Sequence, residues 1–493
     1  MPDSYYLGID VGSSGVKVML VNHGGEPLAV ASSGYATSYP HPGFVEQNSD
    51  DWYGAACIAV REVIGKLQID ADHVRGIGLS GTSHVPSLLD ENYRLLRPAI
   101  LWNDVRSGEQ VKRLADEHGD FIEKTAGNSV NCTWSLAQLS WVREHEPDAY
   151  SKVRHVLFSK DYLAFRLTGV MSADHSTAVS SLLVDVEALD WNTGLLDLAG
   201  LSRDSVPDMR ASTSIVGGLT AAAASDMDLR EGVPVVSGML DSAAELIGVG
   251  AVDPSVAVIR LGTAGGVMVL NRKPEWRKGC MLYPHPVRPF WYYQAGTNAA
   301  TVSLQWALDL FGMADSDAVY EYLDALVEQV PAGADGLLFH PYLIGERAPY
   351  WSSNLRGGFS GLTINHGRPA FLRAVQEGVA YSLRDCTTLL DWSAVTDIRL
   401  CGGGAKSLAW CRIISDVLNL PVDQMQVQDA SALGAALVAI SGCGETELCQ
   451  MSQASARTST RITPNPVNRE VYDNGFRDYQ EIAGQYLRTF DRT

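Results

Sequence analysis

The sequence predicts an α/β protein built from two domains. The chain has 493 residues, more than one hydrophobic core usually organises. Apolar segments of strand length alternate with longer segments of helical spacing, a pattern typical of α/β domains with a largely parallel sheet. A strand, glycine turn and strand pattern occurs near the start and again near the middle of the chain. We therefore expect domains of residues 1–248 and 249–493, which move about a hinge near residues 248–254.

The repeated pattern is a predicted β-hairpin with a glycine-rich turn. It covers residues 6–21 (YLGIDVGSSGVKVMLV) and returns at residues 258–270 (VIRLGTAGGVMVL). Glycine permits the backbone of a tight turn, and successive N–H groups exposed by such a turn can bind an anion. In an alignment of the two copies Asp10 corresponds to Arg260, so only the first copy carries an acid there. The loops predict a polyphosphate held from both sides, although two ordinary hairpins would give the same pattern.

The remaining elements follow from periodicity and capping residues. A second strand pair follows the opening hairpin and ends near Tyr39. Apolar residues at helical spacing predict a helix over residues 50–67, after an Asn48-Ser49-Asp50 cap signal. RGIGLSG predicts a short buried strand, and residues 233–252 predict a strand, a turn and a helix. In the second half, helices are predicted at residues 299–310, 370–390 and 408–418, the last after a strand and glycine turn at residues 397–407.

Composition and charge exclude several classes of partner. The net charge of −19 argues against nucleic acid, whose phosphate backbone is bound by basic patches. No apolar run reaches the ~20 residues of a membrane-spanning helix, and the N-terminus lacks the regions of a signal peptide. None of the eight cysteines belongs to a CxxC pair. We expect a protein of the reducing cytoplasm without nucleic-acid or membrane partners, and a homodimer stays open.

Familiar nucleotide-binding and hydrolase motifs are absent. The chain has no GxxxxGK[ST], no GxSxG and no HExxH. Gly76, Gly78 and Gly81 satisfy GxGxxG, but the residues after them predict a loop and a strand. A dinucleotide site needs a helix there, because the helix N-terminus binds the pyrophosphate. We therefore expect no dinucleotide site at these glycines.

The two hairpin loops supply part of what a phosphoryl transferase needs. Such an enzyme needs amide donors around the phosphates, a carboxylate near the metal and a base at the attacking hydroxyl. Asp10 ends the first strand, where its carboxylate could hold magnesium directly or through water. The alternative is a carboxylate that only caps the turn. The positions expected to bind phosphate through N–H groups or hydroxyls are Gly12, Ser13, Ser14, Gly262, Thr263 and Ala264.

Asp241 is the candidate catalytic base. It lies between an apolar strand near residues 233–236 and an apolar helix over residues 243–247. A strand-to-helix turn at this point would direct the carboxylate into the cleft between the domains. A carboxylate suffices to accept the proton of an alcohol hydroxyl as the bond to phosphorus forms. The alternative is that Asp241 only caps the following helix, since Asp is a favoured N-cap residue.

Two further regions have the composition of ligand-binding loops. Gly402, Gly403 and Gly404 follow a strand, and their backbone could approach a flat base or ribose closely, although a plain turn would also use them. A polar cluster with aromatic neighbours, suited to a sugar, lies in the first half; within it, His84 could equally be a core histidine. The members of this cluster are Thr82, Ser83, His84, Trp102, Asn103, Asp104 and Arg106.

In this order, the motifs resemble those of the FGGY family of carbohydrate kinases, and most resemble its xylulokinase branch. The matching segments run from the first hairpin to about residue 440 and include RPAILWNDVR, LDSAAELIGVGAV, YLIGERAPYW and LCGGGAKSLAW. The resemblance implies two ribonuclease H-like domains of the actin and hexokinase superfold, with an interdomain cleft that closes over substrate. It also implies ATP and magnesium, and transfer of the γ-phosphate to a terminal sugar hydroxyl.

The resemblance implies roles for individual residues. It makes Asp241 the catalytic base and puts Asp10 at the metal and the phosphates. Contacts to phosphate come from Gly262 and Thr263, and contacts to adenosine from the turn of Gly403, Gly404 and Ala405. The residues expected to bind the sugar are Ser83, His84, Trp102, Asp104, Asp241 and Ser242.

The chain departs from the family where an acceptor sugar would be recognised. Xylulokinases usually have GQMHG where this chain has GTSHV at residues 81–85, and Asn where it has Ser242. Loss of a hydrogen-bonding side chain can change selectivity by about a few kcal/mol. The expected function is phosphorylation of a ketopentose such as D-xylulose by ATP. The alternatives are a kinase for another ketose or polyol, such as ribulose or a four- or six-carbon polyol, or a non-catalytic nucleotide-switched protein.

Overall fold

The computed structural model describes residues 4–313, 319–444 and 446–491 of the chain. Most of its strands belong to two seven-stranded sheets, one in each half of the sequence. The strands of the first half are β1 (Tyr5–Val11), β2 (Gly15–Asn22), β3 (Pro27–Gly34), β4 (Glu46–Gln47), β5 (Val74–Gly81), β6 (Pro86–Leu89), β7 (Ala99–Ile100), β8 (His155–Phe158), β9 (Ala173–Asp174), β10 (Val184–Asp185), β11 (Asp190–Trp191), β12 (Met209–Arg210), β13 (Ile215–Gly218), β14 (Pro234–Val236) and β15 (Met239–Leu240). Those of the second half are β16 (Val256–Leu261), β17 (Gly265–Asn271), β18 (Met281–Pro284), β19 (Trp291–Thr297), β20 (Leu338–His340), β21 (Gly358–Ser360), β22 (Asp397–Cys401), β23 (Val422–Met425) and β24 (Thr458–Ile462).

Helices connect the strands and cover the sheets. In the first half they are α1 (Ser49–Leu67), α2 (Gly108–Ala126), α3 (Ser135–His145), α4 (Pro147–Tyr150), α5 (Ser159–Thr168), α6 (His175–Val179), α7 (Thr193–Ala199), α8 (Ala221–Met227) and α9 (Asp241–Gly248). In the second half they are α10 (Thr301–Leu310), α11 (Val319–Val327), α12 (Arg368–Thr387), α13 (Leu408–Leu418), α14 (Ala430–Gly442), α15 (Leu448–Ser455) and α16 (Arg469–Phe490).

Each large sheet is built around the opening hairpin of its half. The first sheet has the order β13-β14-β5-β1-β2-β3, with β15 also beside β5, and the second has the order β18-β19-β17-β16-β22-β23-β24. β1 is antiparallel to β2 and parallel to β5. In the same way, β16 is antiparallel to β17 and parallel to β22. The repeat predicted from the sequence is therefore confirmed as two hairpins at equivalent positions of two similar sheets.

Most predicted elements are present, with shifts at their ends. The side chain of Asn48 accepts a hydrogen bond from the N–H of Asp50, so α1 begins one residue before its predicted start. α13 has the predicted bounds. α12 begins at Arg368 rather than at residue 370, because Pro369 is compatible with the first turn of a helix. The strand pair predicted before residue 39 is wrong: β3 adds to β2, whereas β4 pairs with β7.

One helix of the second half packs on the sheet of the first half. α14 lies on β1 and β5 and beside α9. A Cβ atom built on Gly8 would lie 2.0 Å from the carbonyl oxygen of Ala432, and one on Gly78 would lie 1.8 Å from that of Ala435. Any larger residue at these two positions would push the helix away from the sheet. The close approach of the two backbones therefore depends on glycine.

The same packing explains the GxGxxG spacing in β5. Besides Gly78, a Cβ atom on Gly76 would lie 2.8 Å from Sγ of Cys443, and one on Gly81 would lie 2.7 Å from Oγ of Ser159. As predicted, the next regular element is a strand, β6, rather than a helix. These glycines thus serve contacts inside the protein.

The replacement Gly78→Ala is expected to destabilise the protein by about 1–3 kcal/mol or more, because the methyl group overlaps a helix backbone that cannot move independently. The measurement is the free energy of unfolding in denaturant. The control is Gly119→Ala in α2, where no heavy atom lies within 4 Å of the added Cβ and the replacement should raise helix stability slightly. Equal free energies for both variants would contradict the packing role.

Two expectations from composition have structural counterparts. Among the residues that the structure describes, no helix is both long enough and apolar enough to cross a membrane. The eight cysteines are free thiols, and five of them are buried. These five are small core residues, whereas Cys132, Cys443 and Cys449 are only partly buried.

Candidate active site

The site lies at the edge of the first sheet where three parallel strands end. Asp10 in β1 is paired with Ser80 in β5, and Met239 in β15 is paired with Ser80 on the other side. The chain runs from β15 directly into α9, whose first residue is Asp241. Two carboxylates that are far apart in sequence therefore reach the same sheet edge. In open α/β sheets, this edge is where ligands usually bind.

Among the described residues, the carboxylate of Asp10 accepts one hydrogen bond. The hydroxyl of Ser80 donates to its Oδ1 atom over 2.6 Å. Burial raises the pKa of Asp10 to about 6, the negative charge of Asp241 adds to the rise, and the hydrogen bond from Ser80 opposes it. A carboxylate with a raised pKa at a strand end is typical of a functional position.

Asp241 is fixed at the beginning of α9. Its Oδ1 atom accepts hydrogen bonds from the N–H of Ser242 at 2.7 Å and from the hydroxyl of Ser83 at 3.4 Å. The N-cap of α9 is Leu240, so Asp241 is not the capping residue that the sequence left as an alternative. Burial raises the pKa of Asp241, while the positive charge of Arg260 acts against the rise.

The first hairpin loop, between β1 and β2, is stabilised by a hydrogen bond within the turn and by one from Trp102. The N–H of Gly12 donates to the carbonyl of Gly15 at 3.0 Å, and Nε1 of Trp102 donates to Oγ of Ser13 at 3.0 Å. The hydroxyl hydrogen of Ser13 stays available to another acceptor. In the described part of the chain, the N–H groups of Ser13 and Ser14 make no hydrogen bond. The donors that the loop offers are thus at Ser13 and Ser14 rather than at Gly12.

The second hairpin loop, between β16 and β17, is tied to the start of α10. The N–H of Gly262 donates to the carbonyl of Ala264 at 3.2 Å. The carbonyls of Gly262 and Thr263 accept from the N–H groups of Thr301 and Ala300, both at 2.9 Å. Thr263 is exposed. As in the first loop, the glycine amide is used within the turn, so Thr263 and Ala264 are the donors left for a ligand.

The predicted adenosine turn lies beside this second loop. Gly402 has a φ of +90°, and a Cβ atom on it would lie 2.6 Å from the carbonyl oxygen of Leu261, the last residue of β16. Gly403 is exposed and faces open space, whereas Gly404 and Ala405 are buried. Only Gly403 of the three predicted residues therefore presents its backbone at the surface of the turn.

His84 and Ser242, two of the predicted sugar-binding residues, are both buried and bonded to the second half. Nδ1 of His84 is 2.6 Å from the carbonyl of Ser180, and its Nε2 is 3.1 Å from the hydroxyl of Tyr283. Burial lowers the pKa of His84 to about 4, so the ring is neutral, with Nδ1–H donating and Nε2 accepting. The hydroxyl of Ser242 is 2.8 Å from that of Tyr292.

The loop that contains Trp102 and Asp104 is ordered by an internal ion pair. Asp104 is 1% exposed. Its oxygens accept from the guanidinium of Arg106 at 2.7–3.0 Å and from the N–H of Val45 at 2.6 Å. Both oxygens are thus engaged, by Arg106 of the same loop and by Val45 outside it. The partly exposed side chain that this loop presents to the first hairpin is Trp102.

Comparison with protein families identifies both halves of the chain. The model described as the N-terminal domain of the FGGY family of carbohydrate kinases matches residues 5–248, and that described as the C-terminal domain matches residues 257–443. The chain belongs to this FGGY family. As an FGGY kinase it is an enzyme that uses ATP to phosphorylate a sugar.

Individual relatives resemble this FGGY kinase over nearly its whole length. A xylulose kinase of Bacillus subtilis is 33% identical over 492 residues, 99% of this chain and 97% of the relative. A gluconokinase of the same bacterium is 28% identical over 474 residues, 94% and 92% of the two chains. The crystal structure of xylulose kinase from Rhodospirillum rubrum matches with a TM-score of 0.91 at 31% identity and covers 99% of this chain and 100% of that one. The two-domain actin and hexokinase fold is thereby confirmed.

The sequence did not indicate the tyrosines that meet the predicted sugar residues of this FGGY kinase. Tyr283 in β18 and Tyr292 in β19 are completely or almost completely buried, and their rings lie 5.4 Å apart. They bring the second sheet against His84 and Ser242. The aromatic run at residues 291–293 was the available signal, but an aromatic strand alone predicts a core rather than a site.

The sequence also gave no indication of a buried lysine behind the site. Lys160 is fully buried, and its Nζ bonds to Asp161, to Oδ1 of Asp174 at 3.0 Å and to the carbonyl of Ser237 at 2.9 Å. Asp174 in turn accepts from the hydroxyl of Ser176. We call Lys160, Asp161, Asp174 and Ser176 the lysine network. It reaches Asp241 of this FGGY kinase because the N–H of Leu240 donates to Oγ of Ser176 at 3.0 Å.

Proposed function

We propose that the protein phosphorylates a terminal hydroxyl of a ketopentose, in the manner of a xylulokinase, converting D-xylulose and ATP to D-xylulose 5-phosphate and ADP. One observation carries the proposal: the carboxylates of Asp10 and Asp241 lie at one sheet edge and both sense the charge of Arg260 from the second half. The similarity to a xylulose kinase over 99% of the chain supports the acceptor.

Each part of the site has a role in this reaction. Asp241 accepts the proton of the attacking hydroxyl, and Ser83 favours the ionised form of its carboxylate by donating a hydrogen bond. Donors of the two hairpin loops bind the phosphates, and the turn at Gly403 borders the adenosine. Trp102 covers one face of the sugar, while His84, Asp104 and Ser242 hold the surrounding walls in place.

Magnesium is part of the proposal, with Asp10 as its protein ligand. In the described residues no three His, Cys, Asp or Glu side chains converge to hold a metal by themselves. Mg²⁺ in phosphoryl-transfer sites is usually held by one or two carboxylates, with phosphate and water completing the set. Asp10 fits because, among the residues that the structure describes, the hydrogen bond from Ser80 reaches only its Oδ1 atom. The ion would neutralise phosphate charge during transfer.

We also propose that residues 1–248 and 249–493 act as the two domains and close over the sugar by a hinge near residues 248–254. Closure would exclude water and limit hydrolysis of ATP.

The eight free thiols suit a reducing cytoplasm. The homodimer that the sequence left open is checked by the molar mass in solution.

An ADP-release assay with ATP, Mg²⁺ and a panel of acceptors tests the function. D-xylulose is expected to give the highest kcat/KM. D-ribulose, erythritol, a hexitol and gluconate belong in the panel, the last because a gluconokinase is among the relatives. A higher kcat/KM for any of these acceptors would replace xylulose as the substrate. ADP release that no acceptor increases would favour the nucleotide-switched alternative.

The rate should fall in acid, because Asp241 acts as a base only when it is ionised. Burial raises its pKa, so kcat/KM is expected to decline with falling pH around a midpoint above 3.8, the ordinary value for Asp. Ser83→Ala removes a hydrogen bond that favours the ionised form, so its midpoint should be higher still. Circular dichroism at each pH checks that the protein stays folded. A midpoint at or below 3.8, or one lowered by Ser83→Ala, would contradict this role of Asp241.

A further inference from the structure

Arg260 is a cation of the second half that lies against both parts of the site. It is the next-to-last residue of β16, directly before Leu261 and the second hairpin loop. Its side chain is 50% exposed, and its Nη1 atom is 3.5 Å from Oε2 of Glu245 in α9. A Cβ atom built on Gly262 would lie 3.5 Å from its Nε atom. The guanidinium group therefore lies between the phosphate loop and the helix that carries Asp241.

Glu245 forms an ion pair with one nitrogen of the Arg260 guanidinium. It lies one helical turn after Asp241, so the two side chains share a face of α9. The residue is 5% exposed, and its Oε1 atom accepts a hydrogen bond from the thiol of Cys401 at 2.7 Å. A guanidinium has five N–H donors. Within the described part of the chain the Arg260 side chain bonds only through Nη1, to Glu245, so most of these donors remain available on its exposed side.

Arg260 lies close enough to the carboxylates of Asp10 and Asp241 to affect the pKa of each. Burial raises the pKa values of both Asp10 and Asp241, and the charge of Arg260 lowers both. Asp10 and Arg260 occupy corresponding positions at the ends of β1 and β16, so equivalent strands bring opposite charges to one site. A planar guanidinium also matches the geometry of phosphate oxygens.

We propose that Arg260 contacts the γ-phosphate of the bound nucleotide, and that Glu245 is the residue that positions it. The inference rests on the proposed kinase function and deepens it. During transfer, the bond from the γ-phosphorus to the β,γ-bridging oxygen breaks and a bond to the sugar oxygen forms. The hydroxyl proton goes to Asp241, and the electron pair of the broken bond stays on ADP. Arg260 remains charged throughout and neutralises charge on the phosphoryl oxygens.

Nucleotide binding tests this contact without any sugar. Calorimetry is carried out with Mg²⁺ and either ADP or the non-hydrolysable ATP analogue AMP-PNP, on the wild type and on Arg260→Gln. The variant should bind AMP-PNP at least about tenfold more weakly and ADP within about twofold of wild type, because only AMP-PNP carries the γ-phosphate. Arg230→Gln, an exposed arginine far from the loops in sequence, is the control and should change neither affinity.

Kinetics separate a phosphate contact from a merely structural ion pair. Arg260→Gln should lower kcat by about 10²- to 10³-fold, with KM for the sugar nearly unchanged, and Arg260→Lys should recover part of the loss. In Arg260→Gln/Glu245→Gln the buried charge of Glu245 is removed together with its partner, so part of the thermal stability should recover while kcat stays low. Unchanged AMP-PNP binding, equal weakening of both nucleotides, or recovery of kcat in the double variant would overturn the inference. A wild type that binds neither nucleotide would instead overturn the proposed function, and this inference with it.

Discussion

Asp241→Asn should lower kcat by about 10²- to 10⁴-fold, the usual contribution of a general base. Asparagine has nearly the shape of aspartate and can still accept from the N–H of Ser242, so the start of α9 should persist. It cannot take up the hydroxyl proton. We expect Asp241→Ala to lose turnover altogether while remaining folded and able to bind ATP.

Three measurements make this prediction decisive. Steady-state kinetics give kcat, circular dichroism reports folding, and calorimetry gives the affinity for ADP. Asp204→Asn, at an exposed aspartate with no part in the site, is the matched control and should keep full activity. Turnover at the wild-type rate in Asp241→Asn would remove Asp241 from the mechanism. Loss of ADP binding together with turnover would indicate a structural rather than a chemical role.

Lys160→Met is expected to destabilise the protein by about 3–5 kcal/mol, because it leaves buried carboxylates without their cation. Burial raises the pKa of Asp161 to about 7. Burial would also raise that of Asp174, but the charge of Lys160 and hydrogen bonds from Ser176 and Thr177 lower it. Asp174 is therefore ionised in the folded protein and depends on the lysine.

Chemical unfolding of the variant measures this loss. Lys112→Met, at an exposed position of α2, controls for the change of side chain and should leave the free energy of unfolding within about 0.5 kcal/mol of wild type. The replacement Lys160→Met/Asp174→Asn should regain part of the stability, because it removes the ionised partner. A Lys160→Met variant as stable as Lys112→Met would show that the lysine network contributes little.

Local sequence patterns were sufficient to predict the positions of residues that end a strand or begin a helix. Alternating apolar residues placed Asp10 at the end of β1, and the apolar segments on either side placed Asp241 where β15 passes into α9. The observed start of a helix differs from the predicted one where its first turn contains a residue outside the apolar repeat. Pro369 in α12 is an example. The repeat predicted two similar sheets because the same short-range pattern occurs in both halves.

Contacts between distant segments could not be predicted in the same way. The bond between His84 and Tyr283 joins residues 199 positions apart, and neither side chain has a local pattern that indicates the other. A lysine in an amphipathic helix usually points to water, so the burial of Lys160 follows only from the position of Asp174. Arg260 was visible as the counterpart of Asp10, but its place beside Glu245 depends on how the two halves pack.

The packing of α14 on the first sheet also sets the order in which the chain can finish folding. The covering residues, such as Ala432 and Ala435, are made long after the strands that contain Gly8 and Gly78. During synthesis, the first half therefore emerges from the ribosome before the helix that covers its sheet has been made. Until then, one apolar face of β1 and β5 stays open to solvent and to other nascent chains. This interval ends only when nearly the whole protein has been synthesised.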